Sequence, residues 1–165
     1  MAKTQFKGSP VNTVGDLPKV GSKAPDSQLV AADLSSKRLS DFAGKKKVLS
    51  INPSYDTGVC QATARAFVSR VASRNDAVVL LVSADLPFAQ KRFCESGGLD
   101  AAITLSTFRS NFGREYGVTL ADGPLEGLTA RAVIVLDEKD VVRYAELVSE
   151  ITNEPNYDAA LAALG

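Results

Sequence analysis

The chain has 165 residues, of which 45% are hydrophobic, with nineteen Lys and Arg against nineteen Asp and Glu. That length and hydrophobicity fill one core and exclude a disordered chain. The balanced charge lacks the basic surplus of a nucleic-acid binder. There is no histidine, and the only cysteines are Cys60 and Cys94. This excludes Ser-His-Asp and Cys-His catalysis, histidine-bound metal or haem, and a Cys₄ zinc or iron–sulfur centre within one chain. The residues from Met1 to Gly8 carry no apolar leader, and no run approaches the apolar length of a membrane span. A cytoplasmic protein without membrane attachment is expected, its cysteines thiols or a redox pair rather than a structural staple.

In chain order, strand-like pieces around Phe6 and from Val11 to Val14 flank Gly8-Ser9-Pro10, which predicts an N-terminal hairpin. An extended connection follows over 21–26. Residues 28–32 and 37–39 form a second short ribbon, and 40–44 one helical turn ending in glycine. Lys45-Lys46-Lys47 reads as a solvated strand entry. Lys47 to Asn52 is a buried strand ended by Pro53, and 54–59 is a loop. From Val59 to Ser73, Cys60, Ala64, Phe67, Val68 and Val71 share one helical face. Ala77 to Ser83 is continuously apolar, as in a strand covered on both faces.

Asp85-Leu86-Pro87 opens a helix from Phe88 to about Glu95, stopped near Gly97-Gly98, in which Phe88 and Phe93 fit core packing. Ile103 to Leu105 is a strand, Arg109 to Tyr116 a short helix closed by Gly117, and 121–127 a Gly/Pro loop. Residues 130–136 and 141–147 make a hairpin around 137–140, and Pro155 marks the start of a last helix over 156–164. Strands alternating with helices, then a hairpin and a helix, predict a single α/β domain over 1–165. A thioredoxin-like fold with an N-terminal β-hairpin extension fits best, and the late hairpin argues against a flavodoxin-like sheet. No internal repeat or interdomain linker is visible, and the dinucleotide and P-loop glycine patterns are absent.

The cysteines differ in position. Cys60 lies in the first turn of a helix after a buried strand, where unpaired N–H groups and the helix dipole favour a thiolate. Thr57, three residues earlier, is placed to cap the helix or bond the sulfur, and Pro53 to shield it. Position alone divides Cys60 evenly between a reactive thiol and a small buried hydrophobe. Cys94 lies late in its helix, where the dipole opposes a thiolate, and by position alone reads as inert. Thirty-three residues separate the two, so no C-x-x-C redox motif exists.

Residues 53–60, Pro-Ser-Tyr-Asp-Thr-Gly-Val-Cys, match the P-x-x-x-T-x-x-C signature and resemble the peroxiredoxins. The segment from Ser83 to Cys94, Ser-Ala-Asp-Leu-Pro-Phe-Ala-Gln-Lys-Arg-Phe-Cys, resembles the second-cysteine segment of their bacterial thiol peroxidase subfamily. Residues 103–106 and 127–133 match it as well. The resemblance runs from Phe6 to Leu161. It departs at Ser27, where an aromatic often follows Ala-Pro-Asp, and at Thr129, where leucine or alanine is common.

The resemblance implies an atypical two-cysteine, thiol-dependent peroxidase that reduces hydrogen peroxide and organic hydroperoxides. Cys60 is then the peroxidatic cysteine and Cys94 the resolving cysteine of an intrachain disulfide. Thr57 and Arg131 become polar partners of the reacting sulfur, and Pro53 its shield. The resemblance also implies a homodimer, thioredoxin as reductant, and no cofactor or metal. Without the family match, Arg131 would read as a surface arginine at a strand start. A one-cysteine peroxidase and a redox sensor that passes oxidation to a partner are the competing functions. Joining the two cysteines requires Cα atoms within about 7 Å, so local unwinding at one or both segments is expected during turnover.

Overall fold

The apolar runs near 47–52, 77–83 and 130–136 become the centre of one sheet. A computed structural model describes residues 1–99 and 102–165. Its elements are β1 (Lys3–Phe6), β2 (Ser9–Asn12), β3 (Leu29–Ala31), β4 (Ser36–Lys37), a 3₁₀ turn (Leu39–Phe42), β5 (Lys46–Ile51) and α1 (Gly58–Val71). Then follow β6 (Ala77–Ser83), α2 (Pro87–Gly97), β7 (Ile103–Ser106), α3 (Phe112–Glu115), β8 (Ala132–Leu136), β9 (Val142–Leu147) and α4 (Tyr157–Leu164).

Among the described residues, β1 and β2 pair with each other, and the other strands form a seven-stranded sheet in the order β4-β3-β7-β6-β5-β8-β9. The β5–β6 and β6–β7 pairs are parallel and the rest antiparallel. Parallel neighbours need crossovers, which α1 and α2 supply. This is the thioredoxin-like α/β arrangement with an added N-terminal hairpin. No helix among the described residues is long and apolar enough to cross a membrane.

The period of two along each strand divides the core. Val48, Val79, Leu81, Val133 and Val135 face Phe67, Phe93 and Leu164 of the helices α1, α2 and α4. Leu49, Ile51, Leu80, Val82, Ile134 and Leu136 face Leu39, Phe112 and Tyr116 on the other side. Both faces are covered, which is why these strands read as unbroken apolar runs. Each such side chain contributes about 1.5–3 kcal/mol by leaving water. A third cluster of Val11, Leu120, Ala130 and Ile151, with Phe6 against it, docks the N-terminal hairpin on the body.

Several expectations shift. The N-terminal turn is Lys7-Gly8, both at positive φ (52° and 81°), and Ser9 and Pro10 lie inside β2. A two-residue hairpin turn requires that left-handed pair, so the turn falls one residue earlier than its proline suggests. The helix expected over 109–116 shrinks to Phe112–Glu115, because Arg109 stands at φ 51°. Lys47 is fully buried and paired with Asp140 rather than solvated. Phe93 is buried, but Phe88 is 66% exposed, because it falls on the outer face of α2.

Candidate active site

The site forms at the C-terminal end of β5, where ligands characteristically approach parallel sheets. Ile51 ends the strand, Asn52 and Pro53 leave it, and the loop reaches α1 at Gly58. Cys60 is therefore the third residue of α1, in the turn whose N–H groups lack helical partners. Its side chain has no exposed surface. Thr57 stands at the N-cap with extended backbone, but its hydroxyl makes no cap bond. It donates instead to the Ser54 carbonyl oxygen at 2.9 Å, tightening the loop. Thr57 is exposed and Pro53 buried.

Arg131 comes from the chain entering β8, the antiparallel neighbour of β5. It is 2% exposed, not the surface arginine its position suggests. Its Nε donates to the Ile151 carbonyl at 2.7 Å, Nη1 to Asn52 Oδ1 at 2.7 Å and Nη2 to Cys60 Sγ at 3.3 Å. No carboxylate among the described residues forms an ion pair with it. A buried cation without a counter-charge is costly, and a thiolate at Cys60 supplies one. The Nη2 contact sets the one sulfur in reach of this guanidinium against a donor with no carboxylate partner.

Arg131, Thr57 and Pro53 also line a cavity of about 320 Å³ whose wall is mainly apolar. The apolar wall comes from distant segments: Phe6 of the hairpin, Val59 of α1, Leu125 and Leu128 of the Gly/Pro loop, and Ile151. Such a cavity fits the organic tail of a small ligand whose polar end meets Arg131. Among the described residues, no group of three or more Cys, Asp or Glu side chains is placed to hold a metal ion.

Cys94 lies in the last turns of α2, half-buried against the same apolar cluster that contains Cys60. Both cysteines are thiols. The Cys94 carbonyl accepts from the N–H groups of Gly98, at φ 66°, and Leu99, which closes the helix. The neighbouring Phe93 stacks on Tyr55 with ring centroids 4.9 Å apart. Tyr55 is buried and stands electrostatically near both sulfurs. Burial pushes its hydroxyl well above the ordinary phenol range; the Asn52 amide opposes this, and its neighbours Cys60, Asp85 and Cys94 add to it.

Sequence reasoning missed Asn52, Tyr55 and Asp85 as parts of this site. The Asp85 carboxylate accepts from Ser54 Oγ at 2.8 Å, Tyr55 N at 2.7 Å and Ser83 Oγ at 3.0 Å. It ties the loop before Cys60 to the segment that opens α2. Asn52 offered one signal, a polar residue ending an apolar strand. Thr129 stood out only as a departure, and its hydroxyl donates to the Asn52 carbonyl at 2.7 Å.

The chain is similar to proteins of one family over its whole length. The Redoxin family model matches residues 19–161. The thiol peroxidase of Mycobacterium tuberculosis is 52% identical over 165 residues, covering 100% of this chain and 99% of that protein. A peroxiredoxin-like protein from Aquifex aeolicus superposes with a TM-score of 0.91 at 39% identity, covering 99% of this chain and 96% of that one. The thiol peroxidase from Chromobacterium violaceum gives 0.92 at 25% identity with the same coverage. The chain belongs to the redoxin family and is one of its thiol peroxidases.

Proposed function

We propose that Cys60 is the peroxidatic cysteine and Cys94 the resolving cysteine, with Thr57, Arg131 and Pro53 completing the site in a single domain over 1–165. The observation that carries this is the 3.3 Å contact from Arg131 Nη2 to Cys60 Sγ, made by a buried guanidinium. The Cys60 thiolate attacks the distal oxygen of a hydroperoxide and the O–O bond breaks. Sulfur becomes a sulfenic acid, and the departing oxygen takes a proton to leave as alcohol or water. Arg131 stabilises the thiolate before attack and the charge developing on the departing oxygen during it. Thr57, on the cavity wall, orients the peroxide, and Pro53 covers the sulfur from water.

Cys94 then attacks the sulfenic sulfur, forming an intrachain disulfide and releasing water. A dithiol reductant, thioredoxin in this reading, restores both thiols by two exchanges and is itself oxidised. The apolar cavity favours organic hydroperoxides alongside hydrogen peroxide. A cytoplasmic setting suits a cycle that needs a reducing dithiol pool. A homodimer is supported by exposed Leu86, Phe88 and Phe108 (49, 66 and 46%). The bonds from Thr107 N to Ser83 O and from Ser106 Oγ to Asp85 O gather them at one edge.

The test is hydroperoxide consumption coupled to thioredoxin and its reductase. Wild type turns over, while Cys60→Ser and Cys94→Ser both stall. Activity in Cys60→Ser overturns the assignment of the nucleophile, and sustained thioredoxin-driven turnover in Cys94→Ser overturns the resolving role.

A further inference from the structure

We propose that Asn52 and Tyr55 are positioning residues for the peroxide step, a buried neutral brace that aims the Arg131 guanidinium at Cys60 without neutralising it. This rests on the reading of Cys60 as the attacking sulfur. A guanidinium is planar and offers its donors in a fixed fork. One bond, from Nε to the Ile151 carbonyl, leaves it free to swing. The second, from Nη1 to Asn52 Oδ1, fixes the plane and so points Nη2 at the sulfur.

Asn52 is itself held from every side. Its backbone N–H donates to Val82 O at 2.9 Å and its carbonyl accepts from Thr129 Oγ1. Because Arg131 can only donate, the amide oxygen must face it, and the amide nitrogen must face the other way. There it donates to Ser50 Oγ at 3.1 Å and to the Tyr55 hydroxyl at 3.0 Å. The Tyr55 hydroxyl passes its own hydrogen to Ser50 O at 3.4 Å. Tyr55 thereby fixes which way the amide points, and its ring is fixed in turn by the stack on Phe93.

The choice of an amide matters chemically. A carboxylate in its place would hold the guanidinium as firmly but would pair with its charge. The cation would then serve the carboxylate rather than the sulfur. Asn52→Asp therefore separates positioning with retained charge from a purely structural role. The Ser50 and Tyr55 hydroxyls can rotate to donate to the new carboxylate, so the packing survives. The other titratable groups around this cluster are the Asp85 carboxylate, the Cys94 thiol and the Tyr55 and Tyr157 phenols, and the substitution leaves them in place.

The experiment uses a Cys94→Ser background, so that only formation of the sulfenic acid is read. Stopped-flow mixing with cumene hydroperoxide gives the second-order rate, and the pH profile of Cys60 alkylation by iodoacetamide gives the thiolate midpoint. Asn52→Asp is expected to slow oxidation at pH 7 about tenfold or more and to move the alkylation midpoint up by about one unit. Tyr55→Phe keeps the stack and is expected to slow oxidation by a smaller factor. A folded Asn52→Asp protein, by circular dichroism and melting, with wild-type rate and midpoint overturns the brace. If Asn52→Asp does not fold, the brace stands or falls on Tyr55→Phe, and an unchanged rate overturns it. Failure of the underlying reading looks different: Cys60→Ser would then still consume peroxide.

Discussion

Arg131 gathers the site around one side chain, because its three bonds join the strand end, the segment after β9 and the sulfur. Arg131→Met keeps most of the stem volume and deletes the charge and donors. Losing one preorganised donor of this kind costs about 10²–10³ in rate, so single-turnover oxidation of Cys60 is expected to slow by that order. A loss under tenfold would assign the activation to the helix dipole instead. At this scale the sequence is unevenly legible. Cys60, Cys94, Thr57, Arg131 and Pro53 were singled out from motif order. The burial of Arg131 was not, because nothing local in the sequence tells an arginine at a strand start whether the far end of its side chain meets water or a sulfur. Asn52 gave only the weak signal of a polar residue ending an apolar strand, because its bond to Arg131 is made only when β5 pairs with β8, and Tyr55 gave none, because Asp85 and Phe93 reach it from a distant segment.

Among the elements, α2 is held differently at its two ends. Its first turn is pinned by Pro87 and by the Asp85 bonds to the loop before Cys60. Its last turn hangs on Gly98 and the Cys94 carbonyl. Gly98 stands at φ 66° with open space where a Cβ would go. Gly98→Ala therefore meets only backbone strain, about 1–2 kcal/mol, and is expected to lower the melting temperature without changing the rate of Cys60 oxidation. If Cys60 and Cys94 form the proposed disulfide, the turn carrying Cys94 is expected to loosen. Amide hydrogen exchange over 91–99 is expected to speed up in the oxidised protein, and equal protection in both redox states would sink the unwinding.

The N-terminal hairpin has its own clamp, the Glu150 carboxylate, which accepts from Lys7 N and Gly8 N at 3.0 Å each. The Gly8 bond, followed by Thr152, holds its carboxyl down at about 2 from an ordinary 4.5. The folded value lies below the unfolded one, so the clamp is fully present above pH 4.5 and is lost as pH falls through 2. Glu150→Gln is expected to flatten the stability-versus-pH curve over that window in acid unfolding. Element boundaries were legible where apolar periodicity ran long, as in β5, α1 and β6. They failed at 7–10 and 109–116, where positive φ at Lys7 and Arg109 redirects the chain against residue preference.

At the scale of the molecule, the cavity beside Cys60 exists only because four distant segments meet: the hairpin at Phe6, α1 at Val59, the loop at Leu125 and Leu128, and the segment at Ile151. None of these alone marks a binding site, so the cavity had no signature in the sequence beyond the family match. If the proposed site is right, its position gives it a task that the sulfur and Arg131 do not perform. In the proposed mechanism those two groups act on the O–O bond, which every hydroperoxide shares. On the proposed reading, discrimination among substrates comes from the tail, and this apolar wall is the surface beside Arg131 that can meet it. Leu128→Ser removes part of the apolar wall contributed by the loop. A loss of about 1.4 kcal/mol of apolar contact is a tenfold change in binding. KM for cumene hydroperoxide is therefore expected to rise about tenfold, with kcat and the kinetics for hydrogen peroxide unchanged. A parallel loss for both substrates would mean that Leu128 supports the loop around Thr57 rather than the tail, and would move substrate selection away from the cavity.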